Sequence, residues 1–579
     1  MSLLAALVRA YDRLPDAPPF GYSAEKIGFC VVLNGDGTVT EVIDLRDTDK
    51  KRSPRVMLVP QPPVRTSGKK SCFLWDKTAY ALGVTAGEAK RTAEEHAFFI
   101  SEHERWLNGT EDAGLRAFLL FLSRWTPEDF APPLWTEDMR DLNVVFALQE
   151  EYRERFLHDR PAAQAIWRQV KAEKVAQTRL CLVTGERGPD LDVHPKIKGV
   201  WGAQSSGASL ISFNLDAFIS YGHENGGNAP VSEAAAFAYT TALNRFLADP
   251  KHRLQIGDAS TVFWADAENM ESAGTAEDVF AAMFGGDTTG DDAIATARVR
   301  DKLAAIREGR PLAQIAPELE KGVRFCVLGL APNAARLSVR FWWESDFGTL
   351  TVHYQRFLDD TRLEPPPREG WPPLWRYLVE LAVQGKRENV PPLIAGEWMR
   401  AILAGTRYPQ TLLATTLMRI RADGTVNALR VAILKSVLKR NFSWEVPVAL
   451  DPANTNRGYI LGRLFAVYEE VQRAALGGSV NATIKDKFYG AASASPQKVF
   501  RTLDAGAQNH FSKLRKLSPG RAVNLEKLIG AITELMDPAA DPIPATLNAA
   551  EQALFGIGYY HQRSDFFRKH DDKTPEVTE

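Results

Sequence analysis

Between Ile27 and Leu45 apolar and β-branched residues fall into two runs, Ile-Gly-Phe-Cys-Val-Val-Leu and Thr-Val-Thr-Glu-Val-Ile-Asp-Leu, joined by Asn34-Gly35-Asp36-Gly37. Two β-rich runs connected by Asn/Asp-Gly chemistry predict a β-hairpin. Further strand-like runs stand at Arg55 to Val59, Arg179 to Val183, Ser209 to Phe213, Thr261 to Trp264, Val323 to Leu328 and Leu337 to Trp343. Helical patterns lie between them, notably Ala86 to Glu104 and Ser232 to Ala248. After Pro365-Pro366-Pro367 and Trp371-Pro372-Pro373 the pattern changes. Apolar residues then recur at three- and four-residue steps in Leu374 to Val383, Ile394 to Leu403, Thr411 to Ile420 and Val426 to Leu438.

A second boundary falls at Asp451 to Asn456, beyond which four helices carry start signals of their own. Gly458 to Leu476 is the first. Ser495-Pro496 and Ser518-Pro519 each set a cap residue before a proline suited to the first helical turn, and Asn548 with Glu551 forms a capping-box pattern for the last helix. The expected fold is therefore α+β. A mixed α/β N-terminal body (residues 1–360) leads through a helical connecting region (361–450) to a C-terminal four-helix bundle (451–579).

Composition narrows the class. At 579 residues the chain exceeds one hydrophobic core, and its 45% hydrophobic and 25% charged residues are ordinary for a soluble globular protein. No apolar run reaches the ~18–20 residues of a membrane span, and Arg9 and Asp12 arrive too early for a secretory signal, so a cytoplasmic protein without membrane contact is expected. Cys30, Cys72, Cys181 and Cys326 show no paired spacing, which argues against a zinc knuckle or a disulfide framework. A net charge of −2 excludes a simple polyelectrolyte, so any nucleic-acid role must come from local patches.

Three segments offer such patches. Val64 to Ser71 contains Arg65, Thr66, Lys69 and Lys70 around Gly68, able to offer charge and backbone N–H groups to phosphates, although a solvated hairpin tip would read the same way. His194 to Gly222 holds Lys196 and Lys198 flanking a turn, with Gln204, Ser205, Ser206 and Asn214 as neutral donors and acceptors of the kind used on base edges. A glycine-rich connection between buried strands is the alternative there. In the C-terminal part Lys485, Lys487, Lys498, Arg501, Lys513, Arg515, Lys516, Arg521 and Lys527 outnumber Asp486, Asp504 and Glu526. With Phe488, Tyr489 and Phe511 interleaved, this basic face suits a single strand held by charge and stacking, against the plainer reading of a solvated surface.

A search for catalysis finds one candidate. Asp190, Asp192 and His194 alternate in Pro-Asp-Leu-Asp-Val-His-Pro and offer a ligand set for a divalent metal in phosphodiester hydrolysis, but an ordinary polar turn has the same pattern. The phosphate-loop pattern and the histidine pair of a zinc protease are absent from the sequence. The expectation is a non-enzymatic protein with no cofactor and no metal, a metal-dependent nuclease being the rival.

A series of short words resembles one family. Gly21-Tyr-Ser23 before Lys26-Ile27, and Arg65-Thr-Ser-Gly68 before Phe73-Leu74, open the series. His194-Pro-Lys-Ile-Lys-Gly199, Leu210-Ile-Ser-Phe-Asn214, Ala217-Phe-Ile-Ser-Tyr-Gly222, Asn228-Ala-Pro-Val-Ser232, Tyr239-Thr-Thr-Ala-Leu-Asn244 and Val262-Phe-Trp-Ala265 follow. Leu328-Gly-Leu-Ala-Pro-Asn-Ala-Ala-Arg336, Leu461-Gly-Arg-Leu-Phe-Ala-Val467 and Gly558-Tyr-Tyr-His-Gln-Arg563 close it. In order and over nearly the full length, these words resemble the type I-C (Dvulg subtype) CRISPR large-subunit family.

The resemblance implies a subunit held in a Cascade complex beside the guide-processing and backbone subunits around CRISPR RNA, with no nuclease activity of its own. It implies that guide pairing reads the target sequence, while this subunit reads the short adjacent motif in double-stranded target DNA and begins strand opening. A separate helicase–nuclease is then recruited in trans. The resemblance also implies a small subunit made from the same gene, corresponding to the C-terminal bundle.

Overall fold

The computed structural model describes residues 2–15, 17–48, 52–63, 68–173, 178–213, 215–285, 293–320, 322–368, 370–477 and 482–568. The chain divides into two compact units that interleave in sequence. One holds residues 2–195 and 211–242, the other residues 196–210 and 243–579.

The N-terminal unit contains β1 (Tyr22–Ile27), β2 (Phe29–Leu33), β3 (Val39–Asp44), β4 (Arg55–Pro60), β5 (Trp75–Lys77), β6 (Asn143–Leu148), β7 (Thr178–Leu180) and β8 (Arg187–Pro189). Its helices are α1 (Leu3–Arg13), α2 (Thr78–Ala81), α3 (Thr92–Trp106), α4 (Ala113–Arg124) and α5 (Pro161–Glu173). The predicted hairpin is β2–β3, and it joins β6 and β5 in a sheet of order β3-β2-β6-β5. β2 runs parallel to β6, and both are buried almost throughout, which suits strands covered on both faces. β1 pairs with β4 and β7 with β8, each antiparallel. Phe73, Phe99, Phe118, Phe121 and Phe146 fill the core. Within it His103 is neutral: its Nδ1–H donates to the Phe99 carbonyl (2.8 Å), Nε2 accepts from Leu74 N–H (2.9 Å), and burial pushes its pKa down to about 3.

The division falls within α6 (Glu233–Ala248). The second unit adds β9 (Arg253–Ile256), β10 (Ala259–Asp266), β11 (Arg324–Asn333) and β12 (Arg336–Asp346), an all-antiparallel sheet of order β12-β11-β10-β9. Its helices are α7 (Met270–Gly285), α8 (Ala293–Arg307), α9 (Leu312–Ile315), α10 (Pro317–Glu320), α11 (Phe347–Thr361), α12 (Leu374–Val379), α13 (Pro392–Ala404), α14 (Gln410–Asp423) and α15 (Ala428–Phe442). α16 (Arg457–Leu476), α17 (Ile484–Ala494), α18 (Pro496–Leu517), α19 (Pro519–Thr533) and α20 (Ala549–Asp565) follow. The fold is α+β, as expected. One apolar core runs from Ile256 through Trp398 and Leu434 to Tyr559, so sheet, middle helices and last helices share it.

The start signals at Asn548 and at the two prolines act as read, with two departures. Asn548 accepts from Glu551 N–H (3.0 Å) while the Glu551 carboxylate accepts from Asn548 N–H (2.9 Å), and Pro496 and Pro519 open their helices. Ser495 and Ser518 hold the cap positions without a side-chain cap bond. The four predicted helices gain a fifth, α17, opened by the reciprocal pair Thr483 and Asp486. α16 and α20 cross at backbone contact. A Cβ on Gly458, Gly462 or Gly558 would collide with the carbonyls of Glu551, Phe555 and Tyr459 respectively, so only glycine permits this approach.

Two expectations need correction. Ser209 to Phe213 is not a strand: Ser209 alone finds a partner, in a single parallel bridge to Arg336, and residues 211–213 have none. The helix read from Ala86 begins only at Thr92, because Thr85 and Ala86 are held in a turn by the Asp141 carboxylate.

Candidate nucleic-acid interface

The segment from Lys196 to Gly207 is an exposed loop whose backbone is fixed from outside itself. Ile197 and Ala208 exchange both backbone hydrogen bonds at 2.9 Å and close its base. Gly207 there has φ +89°, and a Cβ on it would lie 2.8 Å from the Ile197 carbonyl. The Asn244 side chain, from α6, accepts from Lys198 N–H (2.8 Å) and donates to the Lys196 carbonyl (3.3 Å). The fully buried Ser260 hydroxyl on β10 accepts Trp201 N–H at 2.9 Å. Arg253 on β9 donates to the Gly199 carbonyl (3.3 Å), and Ile197 and Val200 anchor the loop in the core. Ser209 N–H bonds Ala335 O and Leu337 N–H bonds Ser209 O, so the loop leaves along the β11–β12 turn. Four stretches that carried the resemblance thus converge: the one at His194, that ending in Asn244, the strand around Val262, and the turn ending in Arg336.

Lys196, Lys198, Gln204, Ser205 and Ser206 are all exposed on this loop. The residue that sequence reasoning missed is Trp201, whose side chain stands 60% exposed between them. Its signal was present as a bulky aromatic between Gly199 and Gly202.

The second basic region is centred on α18. Pro496, Val499, Phe500, Leu503, Ala507, Phe511 and Leu514 form its buried stripe. The opposite face carries Lys498, Arg501, Ala505, Gln508, Asn509, Ser512, Lys513 and Lys516, all exposed and none acidic. From Lys498 to Lys516 this face runs for roughly 27 Å. Asp504 stands at its edge and accepts from the Tyr468 hydroxyl (3.2 Å).

The other cations of the region differ. Arg515 pairs with Glu526, and Arg521 pairs with Glu470, which also binds Arg473 at 2.8 Å. Lys485 is half-buried, while Lys487 and Lys527 are exposed. The interleaved aromatics are corrected outright: Tyr489 and Phe511 are core residues and Phe488 is half-buried, so α17 and α18 offer charge without a stacking surface.

The remaining predicted residues stand elsewhere. Lys69 and Lys70 are carried by the N-terminal unit, where the Lys69 ammonium binds the Glu94 carboxylate at 2.6 Å and holds its pKa below the usual carboxylate value. Arg65, Thr66 and Asn214 lie outside the described residues.

The nuclease alternative fails on geometry. His194 is buried with Nδ1 2.7 Å from the Tyr239 hydroxyl, and burial lowers its pKa. Asp190 lies 3.4 Å from Arg179, and Asp192 is exposed. The three side chains serve different neighbours, and no cluster of three metal-ligating residues exists among the described residues. The four cysteines are buried free thiols, and no described helix is long and apolar enough to cross a membrane.

The described residues thus form a mixed α+β body with two exposed basic surfaces, and comparison with known families supplies the class. The family model for CRISPR-associated protein (Cas_Csd1) matches residues 7–567, and the chain belongs to that family. It is a Cas8/Csd1-type large subunit of a CRISPR Cascade complex, whose associates are other Cas subunits and CRISPR RNA. No curated protein matches the chain.

Proposed function

We propose that this chain is the non-catalytic large subunit of a type I-C surveillance complex, which reads the motif adjacent to the target, helps open the duplex and supports recruitment of a separate helicase–nuclease. The observation that carries the reading is the outer face of α18, where Lys498, Arg501, Lys513 and Lys516 share an exposed surface with Asp504 at its edge. A row of cations at helical spacing neutralises successive phosphates without reading sequence, which is what an opened strand requires. The Lys196–Ser206 loop has the complementary make-up, two cations with neutral donors and acceptors on a fixed backbone, and is assigned to the flanking duplex together with the segment around Arg65, Thr66, Lys69 and Lys70. Asn214 belongs to the same duplex-facing assignment. The part from Asp451 onward, small-subunit-like in its helices, is also produced separately from the same gene in this reading, and guide-processing and backbone subunits complete the complex.

The test replaces Lys498, Arg501, Lys513 and Lys516 together by Gln in the assembled complex. The expected result is a fall of about 3 in the salt slope of strand binding and about a hundredfold weaker hold on opened DNA at physiological salt, with motif capture kept. Unchanged slope and unchanged lifetime of the opened state would reject the assignment.

A further inference from the structure

A tryptophan with three-fifths of its surface in water is unusual, since the indole is among the largest apolar groups a chain can bury. Trp201 is exposed while its own backbone is among the more firmly held parts of the loop. Its N–H is bonded to a buried hydroxyl at 2.9 Å, the preceding Val200 is buried in the core, and the following Ala203 N–H closes a turn on the Val200 carbonyl at 3.1 Å. Gly202, at φ +76°, packs beside Pro332 at the end of β11. The ring therefore projects from a fixed platform, and ordering it on binding costs little conformational entropy.

Its surroundings select the partner. Exposed Lys196 and Lys198 precede it, exposed Gln204, Ser205 and Ser206 follow it, and the Arg253 guanidinium donates to the Gly199 carbonyl two residues before it. Cations beside an apolar planar ring fit a ligand that is anionic along its backbone and planar and stackable at its side groups. A hydrophobic protein surface would leave the lysines without a counter-charge.

We propose that Trp201 is the stacking contact of this subunit for an unpaired nucleobase, with Lys196 and Lys198 holding the phosphates on either side. The inference rests on the reading of the chain as a nucleic-acid-contacting subunit and names the aromatic surface that α17 and α18 lack. Every base has a π-face, so the contact is tolerant of sequence and favours a strand at the point where pairing ends.

The experiment uses the full-length chain and a forked DNA duplex with 2-aminopurine at the first unpaired position, beside an RNA strand of the same sequence with the same probe. Stacking on the indole quenches the probe. Trp201→Ala is expected to restore its emission and weaken binding about tenfold. Trp201→Phe, which keeps an aromatic face, retains quenching and binds within a few-fold of the parent. Replacing Lys196 and Lys198 by Gln lowers the salt slope and leaves the quenching. The arm that loses quenching in Trp201→Ala, DNA or RNA, tells target strand from guide. Because the ring is exposed, an unchanged thermal midpoint is expected for both tryptophan variants. Equal quenching and equal affinity in parent and Trp201→Ala would overturn the stacking contact and leave the nucleic-acid reading standing. Absence of any probe binding by the parent would overturn both.

Discussion

The loop at Lys196–Gly207 and the outer face of α18 belong to one unit and are both exposed and basic, but they are held in opposite ways. The loop has no regular structure, and its shape is imposed by Asn244, Ser260 and Arg253 from three other elements. The α18 face needs no such help. Its spacing is the helical period, and what it takes from its surroundings is only burial of the stripe from Pro496 to Leu514. In the proposed function the difference has a use. An irregular backbone can present a ring, an amide and two hydroxyls in one arrangement, as recognition of a particular site requires, whereas a helix repeats charge along a line. The loop is thus vulnerable to single changes in residues that touch no ligand, and the helix face only to changes in its support or to several charges at once.

The largest way to break the comparison is to attack that support. Gly462→Ala places a methyl group against the Phe555 carbonyl and 2.9 Å from Tyr559 N, both backbone atoms that cannot turn aside. α16 and α20 must then separate, at a cost of about 3 kcal/mol or more. A lower denaturation midpoint and loss of strand binding are expected, with 2-aminopurine quenching at the loop retained. Parallel loss of both signals would mean that the α16–α20 contact supports the loop as well as the helix face.

Acid sharpens the same contrast. Between α16 and α20 the Tyr459 hydroxyl accepts from Asp451 N–H (3.1 Å) and donates to His561 Nδ1 (3.0 Å). Burial first, then the charges of Lys435 and Arg568, push the His561 pKa down to about 3. The unfolded chain takes up this proton near pH 6.5 and the native chain does not. Stability is therefore complete above about pH 6.5 and falls as pH drops toward 3, by at most about 1.4 kcal/mol per unit. His561→Gln should flatten the acid slope measured by denaturant titration between pH 6.5 and 4.5. A residual slope is expected from His103, which is buried neutral in the N-terminal unit. An unchanged slope would place the proton uptake elsewhere.

What the sequence made legible follows from where each element keeps its information. The hairpin β2–β3, the strands β10 to β12 and the late helices carry their signals locally, in turn residues, periodicity and caps. β6, at the centre of the N-terminal sheet, went unread because Val144 to Leu148 is apolar throughout, as a strand buried on both faces must be, and shows no alternation. α17 was readable in principle, since Thr483 and Asp486 stand at capping-box spacing. The burial of Phe511 was also written in the chain, because it continues the four-residue steps from Leu503 through Ala507. The arrangement of the loop was not, since Lys198 and Asn244, or Trp201 and Ser260, are brought together only by the fold. Charge alone likewise does not distinguish Arg515 and Arg521, tied to carboxylates, from Lys513 and Lys516.

The smallest expected effect probes the loop at its most economical support. Asn244 meets the candidates Lys196 and Lys198 at their backbone, where its single carboxamide satisfies Lys198 N–H and the Lys196 carbonyl together. Asn244→Ala frees both groups at the loop's surface, where water replaces the lost bonds, so the cost in stability is about 1 kcal/mol. The consequence for recognition is different in kind. Ile197 stays pinned to Ala208 and Trp201 to Ser260, so the base of the loop and the ring keep their places, while the two lysines lose their common fixed point. Binding to flanking duplex should weaken a few-fold with the salt slope nearly intact, because the charges remain and only their positions spread. Discrimination among flanking sequences should relax more than affinity falls. Strand binding through α18 should not change. A uniform loss across all flanking sequences with a reduced salt slope would instead show that Asn244 matters through charge presentation, and that the loop, like the helix, reads only phosphates.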